Sequence, residues 1–390
     1  MAMRIYLLLV LAGISYWGCK DDPSSGSYPA VKATFGASID LDNLANYEAQ
    51  PKPDYILKDN GTSNAITNEG ATLGRVLFYD VNLSTDNTIS CAHCHKQEFA
   101  FSDTATASSG VNGLTGRHSM RLVNSRFATD PRFFWDERAV SLEDQTTQPI
   151  QDHKEMGFSG VGGDPSLADL AAKLEAIPYY QELFKFTFGD TEVTEPRLQS
   201  ALSQFVRSIQ SFDTRFDAGR AMAPNDNAPF QNFTAEENQG KQLFIMAPQF
   251  DPGGNRIGGG AGCQGCHRSP EFDIDPNSKN NGVVGVIGTA ATDLTNTRSP
   301  SLRNLVRADG SLLTEAMHDA SLSDFDEVLE HYNNIPLVPG NTNLDPRLSP
   351  GGQPQKLQLT TGEKVALTAF IKTLRGESVY TDARWSNPFQ

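Results

Sequence analysis

The stretch Cys91-Ala92-His93-Cys94-His95 decides how this chain is read, because it returns as Cys263-Gln264-Gly265-Cys266-His267. In each copy two thiols two residues apart are followed directly by an imidazole. That spacing lets both sulfurs add across the vinyl groups of one porphyrin while the adjacent histidine reaches the iron from one face. Of the five cysteines in 390 residues, the two motifs leave only Cys19 over. Zinc also uses Cys-x-x-Cys pairs, but structural zinc sites keep their pairs far closer in sequence, and the histidine after each pair would have no role. Disulfides across a two-residue spacer are mostly redox motifs and do not come twice with a histidine attached. The expectation is two covalently bound haem c groups. Cys91, Cys94 and His95 hold one, Cys263, Cys266 and His267 the other, with His95 and His267 as iron ligands.

Working outward, each motif follows a helix and a loop. Thr72–Asp80 (TLGRVLFYD) is apolar at helical spacing, and Thr234–Met246 opens on a capping box of Thr234 and Glu237. Further helices are expected over Ser166–Ala176, ended by Pro178, and over Glu195–Phe212, where Leu198, Leu202, Phe205, Val206 and Ile209 share one face. Phe325–Tyr332 and Thr361–Leu374, the latter stopped by Gly376, complete the set. Strand signals are sparse, and Asp251–Gly262 and Asn277–Gly288 read as Gly-rich loops over a haem edge. The expected fold class is mainly α: two cytochrome c-like haem domains, over 55–220 and 233–385, joined near the Pro/Asn-rich stretch Ala221–Asn232.

Hydrophobic residues make up 38% of the chain and charged ones 20%, enough apolar matter for real cores and too little charge for wholesale disorder. The formal net charge of -15 excludes a nucleic-acid partner and is a weak pointer to a cationic redox donor. At the start, MAMRIYLLLVLAGISYWGCKDD places Arg4 before an apolar run, Ile5 to Ile14, that is too short to span a bilayer. This reads as a signal peptide over 1–19 with Cys19 in a loose lipobox, in which Tyr16 and Trp17 are poor residues. Lipidation of Cys19 is expected; ordinary cleavage nearby would instead leave a soluble periplasmic protein. A tether over 20–54 follows, polar from Lys20 to Ser27. The chain is therefore expected in the periplasm or held to the outer membrane, touching lipid only through that anchor.

Beyond the motifs, Leu73–His95 (LGRVLFYDVNLSTDNTISCAHCH), Phe133–Arg138 (FFWDER), Leu142–Met156 (LEDQTTQPIQDHKEM), Arg298–Asn304 (RSPSLRN) and Phe325–Asn333 (FDEVLEHYN) occur in one order. In this the sequence resembles the bacterial dihaem cytochrome c peroxidases, from about Leu73 to the final helix. The resemblance implies that the haem of His95 is the peroxidatic one, with Gln145 and Glu155 as its distal polar pair. It also implies that Trp135 lies between the haems and that the haem of His267 receives electrons. Implied partners are hydrogen peroxide, a small cytochrome c or similar donor, and a second copy in a homodimer. Taken alone, Glu155 and Gln145 would read as surface residues and Trp135 as core packing.

Two departures qualify the resemblance. Many relatives have methionine as sixth ligand where this chain has Tyr332, with His331 beside it. Tyrosine there resembles the branch that matures the tryptophan-derived quinone of methylamine dehydrogenase. An anionic oxygen would stabilise oxidised iron, unlike a thioether. Tyr332 ranks first, His331 second and Met317, in AMHDA, third. In Ser108–Ser119 (SSGVNGLTGRHS), Val111 stands where relatives place a histidine that caps the resting iron, so an open His95 haem is expected. His118 stands where relatives often have a calcium-binding asparagine, so calcium is expected to be weak or absent, and His118 itself reads as a polar loop residue. His93 and His153 read as solvated, or as supporting residues behind the haem ligands. Three functions compete: peroxide reduction at the His95 haem, a high-valent oxidase of another substrate such as a protein side chain, and a non-enzymatic electron carrier.

Overall fold

The computed structural model of the protein describes residues 27–129, 131–274 and 276–389. The expected signal segment, Cys19 and the start of the tether lie outside the described residues. The first half is built from α1 (Pro29–Phe35), α2 (Asn68–Tyr79), α3 (Cys91–Cys94), α4 (Leu142–Gln151), α5 (Leu167–Glu175), α6 (Pro178–Phe188) and α7 (Glu195–Ser208). The second contains α8 (Arg215–Met222), α9 (Ala235–Ile245), α10 (Phe325–Asn333) and α11 (Thr361–Lys372). Among the described residues the strands form three short antiparallel pairs. They are β1 (Ser109–Gly110) with β2 (Gly113–Leu114), β3 (Pro248–Phe250) with β4 (Arg256–Gly259), and β5 (His267–Arg268) with β6 (Asp273–Ile274). The protein is mainly helical, as expected.

Two helix crossings organise the two cores. α2 crosses α7 where Gly74 has no room for a side chain: an added carbon would overlap the carbonyl of Ala201. α9 crosses α11 in the same way, with Gly240 against the carbonyl of Ala366. One turn after each glycine an aromatic ring meets another, Phe78 with Phe205 at 5.1 Å and Phe244 with Phe370 at 5.2 Å between centroids. Each of these first rings also touches a phenylalanine just past the motif, Phe101 at 6.0 Å and Phe272 at 5.6 Å. Such tilted and edge-on pairs add to the apolar burial that holds the helices together. The same packing unit thus sits under both Cys-x-x-Cys-His stretches.

Several boundaries differ from expectation. The tether over 20–54 is not free from Pro29 onward: Val31, Phe35, Ile39, Leu41 and Tyr47 are buried in the first core, and Glu182 accepts from the backbone N–H of Ala30 (3.1 Å) and Val31 (2.9 Å). The passage between cores falls between Ile209 and Phe216, ahead of Ala221–Asn232, because Phe216 of α8 and Phe230 belong to the second apolar cluster. The chain's end returns to the first core, where Trp385 is buried and Tyr47 donates to the Arg384 carbonyl at 2.6 Å. α7 stops at Ser208 rather than Phe212, since Asn124 takes over the backbone beyond it: its N–H donates to the Ile209 carbonyl and its side chain accepts from the Ser211 N–H at 2.8 Å. Pro178, read as the end of one helix, also begins α6, where its missing N–H costs nothing. No helix among the described residues is long and apolar enough to cross a membrane.

Candidate functional site

At the first motif Ser90 caps α3, and its N–H and hydroxyl both meet His93 Nδ1 at 3.0 Å. His93 is therefore occupied in holding the helix start. Beyond His95 the chain turns through two consecutive left-handed residues, Ala100 (φ 55°) and Phe101 (φ 60°). Such backbone is costly for non-glycine residues and persists where the surroundings fix it. Its effect is to offer the Phe101 carbonyl to His95 Nδ1 at 3.0 Å. That bond assigns the proton to Nδ1 and leaves Nε2 with a lone pair, the arrangement of a metal-binding imidazole. Burial lowers the pKa of His95, which keeps it neutral.

The cavities on this side, of about 440 and 70 Å³, are both lined by Cys94, His95, Gln145 and Glu155. Gln145 comes from α4, capped by Ser141, whose hydroxyl accepts from the Asp144 N–H at 3.1 Å. α4 is not among the helices expected from the sequence; Pro149 lies near its C-terminal end, and the helix runs through it to Gln151. The turn after α4 is fixed by Asp152, which accepts from the N–H of Lys154 (2.8 Å) and Glu155 (3.1 Å). Among the described residues no donor hydrogen-bonds the Glu155 carboxylate or the Gln145 amide. Burial, helped by the charge of Asp152 and opposed by Arg138, pushes the Glu155 carboxyl up to about 7. The β1–β2 turn is clamped beside it: Val111 N–H donates to the Glu155 carbonyl (3.0 Å) and Asn112 N–H to that of Lys154 (3.1 Å). Val111 does not line either cavity.

At the second motif a larger cavity, about 810 Å³, is lined by Cys263, Cys266, His267, Met317 and Tyr332. Burial lowers His267 to about 4, opposed by the Pro300 carbonyl, so this imidazole too is neutral. Burial also pushes the Cys91 and Cys263 thiols up to about 12 and Cys94 to about 11, so none is a ready thiolate. Asn281 unites two of the three candidate sixth ligands: its Nδ2 donates to the Tyr332 hydroxyl at 3.0 Å and approaches Met317 Sδ at 3.3 Å. The third is turned away. His331 Nε2 meets the Asn281 carbonyl at 2.9 Å, and His331 is not on the cavity wall. Asn281 lies in a stretch read only as a loop, and nothing in its local sequence marks it.

Trp135 lies on the wall between the large cavity and the His95 cavity. Its Nε1 donates to the His118 carbonyl at 2.8 Å, its carbonyl accepts from the N–H of Thr297 (2.9 Å) and Arg298 (3.0 Å), and its ring meets His318 edge-on at 6.2 Å. His118, read as a polar loop residue, does lie in a loop, but a buried one. It is 4% exposed, bonded through Nδ1 to the Ala105 carbonyl at 2.9 Å, and placed on the same wall. Arg121, missed in the sequence although it interrupts the apolar run Met120–Val123, is on that wall too. His153 remains exposed, paired with Asp164 at 2.7 Å.

These residues fit two haems. Each motif faces its own cavity of a size that holds a cofactor, and desolvation lowers the pKa of both His95 and His267. The two cysteine pairs open on different cavities and cannot share one zinc ion. Among the described residues no cluster of three His, Cys, Asp or Glu side chains could hold a further metal.

Comparison with known proteins agrees. Residues 68–223 match the model of the di-haem cytochrome c peroxidase family. The methylamine utilization protein MauG of Methylophilus methylotrophus is 30% identical over 87% of this chain and 92% of its own length. The cytochrome c551 peroxidase of Nitrosomonas europaea is 28% identical over 80% of this chain and 83% of its own. Among solved structures, a MauG-like protein associated with microbial copper homeostasis superposes with a TM-score of 0.66 at 28% identity, covering 87% of this chain and 99% of that one. The chain belongs to the di-haem cytochrome c peroxidase family, a family of oxidoreductases whose members carry two haems.

Proposed function

We propose that this protein is a peroxidase in which each half is a cytochrome c-like domain with one covalently held haem. Cys91 and Cys94 attach the first and Cys263 and Cys266 the second, with His95 and His267 as axial ligands. Haem supplies a redox-active iron that binds peroxide and passes electrons. The protein supplies the proton handling: hydrogen peroxide, two electrons and two protons become two waters. Glu155 as carboxylate takes the proton from the nearer peroxide oxygen and returns it to the departing one, so that water leaves instead of hydroxide. Gln145, whose amide is uncommitted, orients the peroxide. Electrons come from a small cytochrome c-like donor through the second haem, and Trp135 offers a side chain common to both cavities. Export to the periplasm with a lipid on Cys19 completes the reading.

The observation that carries this proposal is a half-buried Glu155 whose carboxylate makes no hydrogen bond among the described residues, beside Gln145 on the cavity of His95, where burial pushes its carboxyl up to about 7. A general acid–base group contributes about 10²–10⁴-fold. Glu155→Gln in the holoprotein is expected to lower kcat/KM for peroxide, with reduced cytochrome c as donor, by about 10²–10³-fold while both haem spectra persist. A variant within a few-fold of the parent would remove the carboxylate from the mechanism.

Tyr332 favours a second reading. Its hydroxyl, held by Asn281 in the second cavity, suits an enzyme that oxidises another substrate, including a protein side chain. Rapid turnover with reduced cytochrome c supports the first reading, and its absence in a peroxide-reactive holoprotein supports the second.

A further inference from the structure

Arg121 is half-buried and differs from Arg207, Arg303 and Arg256 in having no carboxylate beside it among the described residues. Arg207 is held by both oxygens of Glu143, Arg303 by both of Asp217, and Arg256 by both of Glu363. Arg121 makes one hydrogen bond, from Nη2 to the Ser301 carbonyl at 3.2 Å, and its Nε is buried with no partner. A guanidinium whose Nε is buried with no partner is costly, and the usual remedy is a carboxylate in fork geometry. A second side chain on the same cavity shares this condition. Asn296 is 7% exposed, and neither its Nδ2 nor its Oδ1 has a partner. Trp135 ties the two together, since its carbonyl holds the N–H groups of Thr297 and Arg298, next to Asn296, and its indole shares the wall with Arg121. His118 Nε2 is also buried and unpartnered there. Its Nδ1–H is committed to Ala105, which leaves Nε2 an acceptor, so it is no donor to an anion.

A haem carries two propionate carboxylates, and a haem seated over Cys263 and Cys266 must place them against this cavity's walls. We infer that Arg121 and Asn296 clamp one propionate of that haem, Arg121 through Nε and the open side of its guanidinium and Asn296 through Nδ2. This rests on the second motif being a haem site. Because Arg121 also borders the His95 cavity, the clamp puts a compensated ion pair between the two haems. With the arginine gone, the propionate charge is uncompensated and favours oxidised iron, so the potential falls.

The test uses the holoproteins of the parent, Arg121→Gln, Arg121→Lys and Asn296→Leu, each assayed for two covalent haems and titrated spectroelectrochemically between pH 5 and 9. In Arg121→Gln the midpoint potential of the second haem should move negative and gain a pH dependence as the released propionate titrates. Arg121→Lys should restore part of the shift, and Asn296→Leu should give a smaller one of the same sign. Potentials unchanged in Arg121→Gln and Asn296→Leu would overturn the clamp. Should Arg121→Gln fail to fold, the resonance Raman propionate-bending mode of the parent and Asn296→Leu decides the matter, an identical frequency overturning it. A parent lacking haem at Cys263 and Cys266 would instead overturn the haem reading itself.

Discussion

The two halves share a foundation and differ above it. Under each motif a glycine lets two helices touch, and a phenylalanine one turn later locks the crossing, with nearly equal ring separations in both. Over His95 the opposite wall offers Gln145 and an unpartnered Glu155; over His267 it offers Tyr332 and Met317 gathered by Asn281. The common part supplies position, and the divergent part supplies chemistry. A carboxylate without a partner can trade protons, whereas on the other cavity a phenol and a thioether are held by one amide. Duplicated packing thus leaves the walls free to specialise, as expected where function sits in sites grafted on a shared fold.

The hardest way to break this comparison is to wedge each crossing apart. Gly74→Ala and Gly240→Ala each gain about 1 kcal/mol of helix propensity but force a carbon into a backbone carbonyl, and overpacking of this kind costs a few kcal/mol. A net loss of about 2 kcal/mol is expected for each, read from chemical denaturation followed at the haem bands. If the halves are independent units, Gly74→Ala will disturb the spectrum of the His95 haem and spare the other, and Gly240→Ala will do the reverse. Either variant disturbing both haems alike would show that the cores are not separable.

A smaller effect sharpens the contrast in chemistry. The Glu155 carboxyl has its folded-state pKa near 7, above the ordinary value of 4.5. The folded chain therefore keeps a proton that the unfolded chain loses, so the stability this group contributes is present below about pH 4.5 and is lost as the pH rises through 7. Glu155→Gln removes that loss. At pH 8 the variant is expected to be more stable than the parent by about 2 kcal/mol after allowing for partial solvent screening, with the difference vanishing near pH 4. In turnover the same carboxyl predicts a rate that falls as the pH drops below about 7, because only the carboxylate can accept the peroxide proton.

How much of this could be read from the sequence follows from how local each signal is. The motifs, the helix α9 and its capping box are written within a few adjacent residues and stand as expected. Glu155, Gln145 and Trp135 carry no local mark; the family's blocks alone pointed to them, and the structure puts all three on one cavity. Asn281, Arg121 and Asn296 escaped because their importance lies in what they lack or share across distant segments: an amide between residues 317 and 332, and a cation without its carboxylate. His118 was misread for the same reason. Its neighbours are polar, but segments two hundred residues away bury it, through His118 N–H to the His318 carbonyl at 2.8 Å.

The smallest test concerns the two helices that lead into the motifs. α9 begins with a reciprocal cap: Thr234 accepts from the Glu237 N–H at 3.1 Å, and Glu237 accepts from the Thr234 N–H at 2.8 Å while also holding Arg215. α2 begins with Thr67, whose hydroxyl accepts from the Gly70 N–H at 3.0 Å. There the third residue is glycine, which cannot reach back, and Gln204 from α7 does so instead, accepting from the Thr67 N–H at 2.9 Å and from its hydroxyl at 3.0 Å. Thr234→Ala and Thr67→Ala should each cost about 1 kcal/mol, but the two caps differ in what backs them. Removing the second partner, with Glu237→Ala or Gln204→Ala, should separate the halves. The first loosens the cap of α9 and releases Arg215 of α8, so its effect should stay within the second half. The second also severs a tie between α2 and α7, so combined with Thr67→Ala it should deviate from additivity, whereas Gln204→Ala combined with Thr234→Ala should be additive. Equal coupling in both pairs would mean that the two crossings are supported alike, and that the divergence between the halves is confined to the cavity walls.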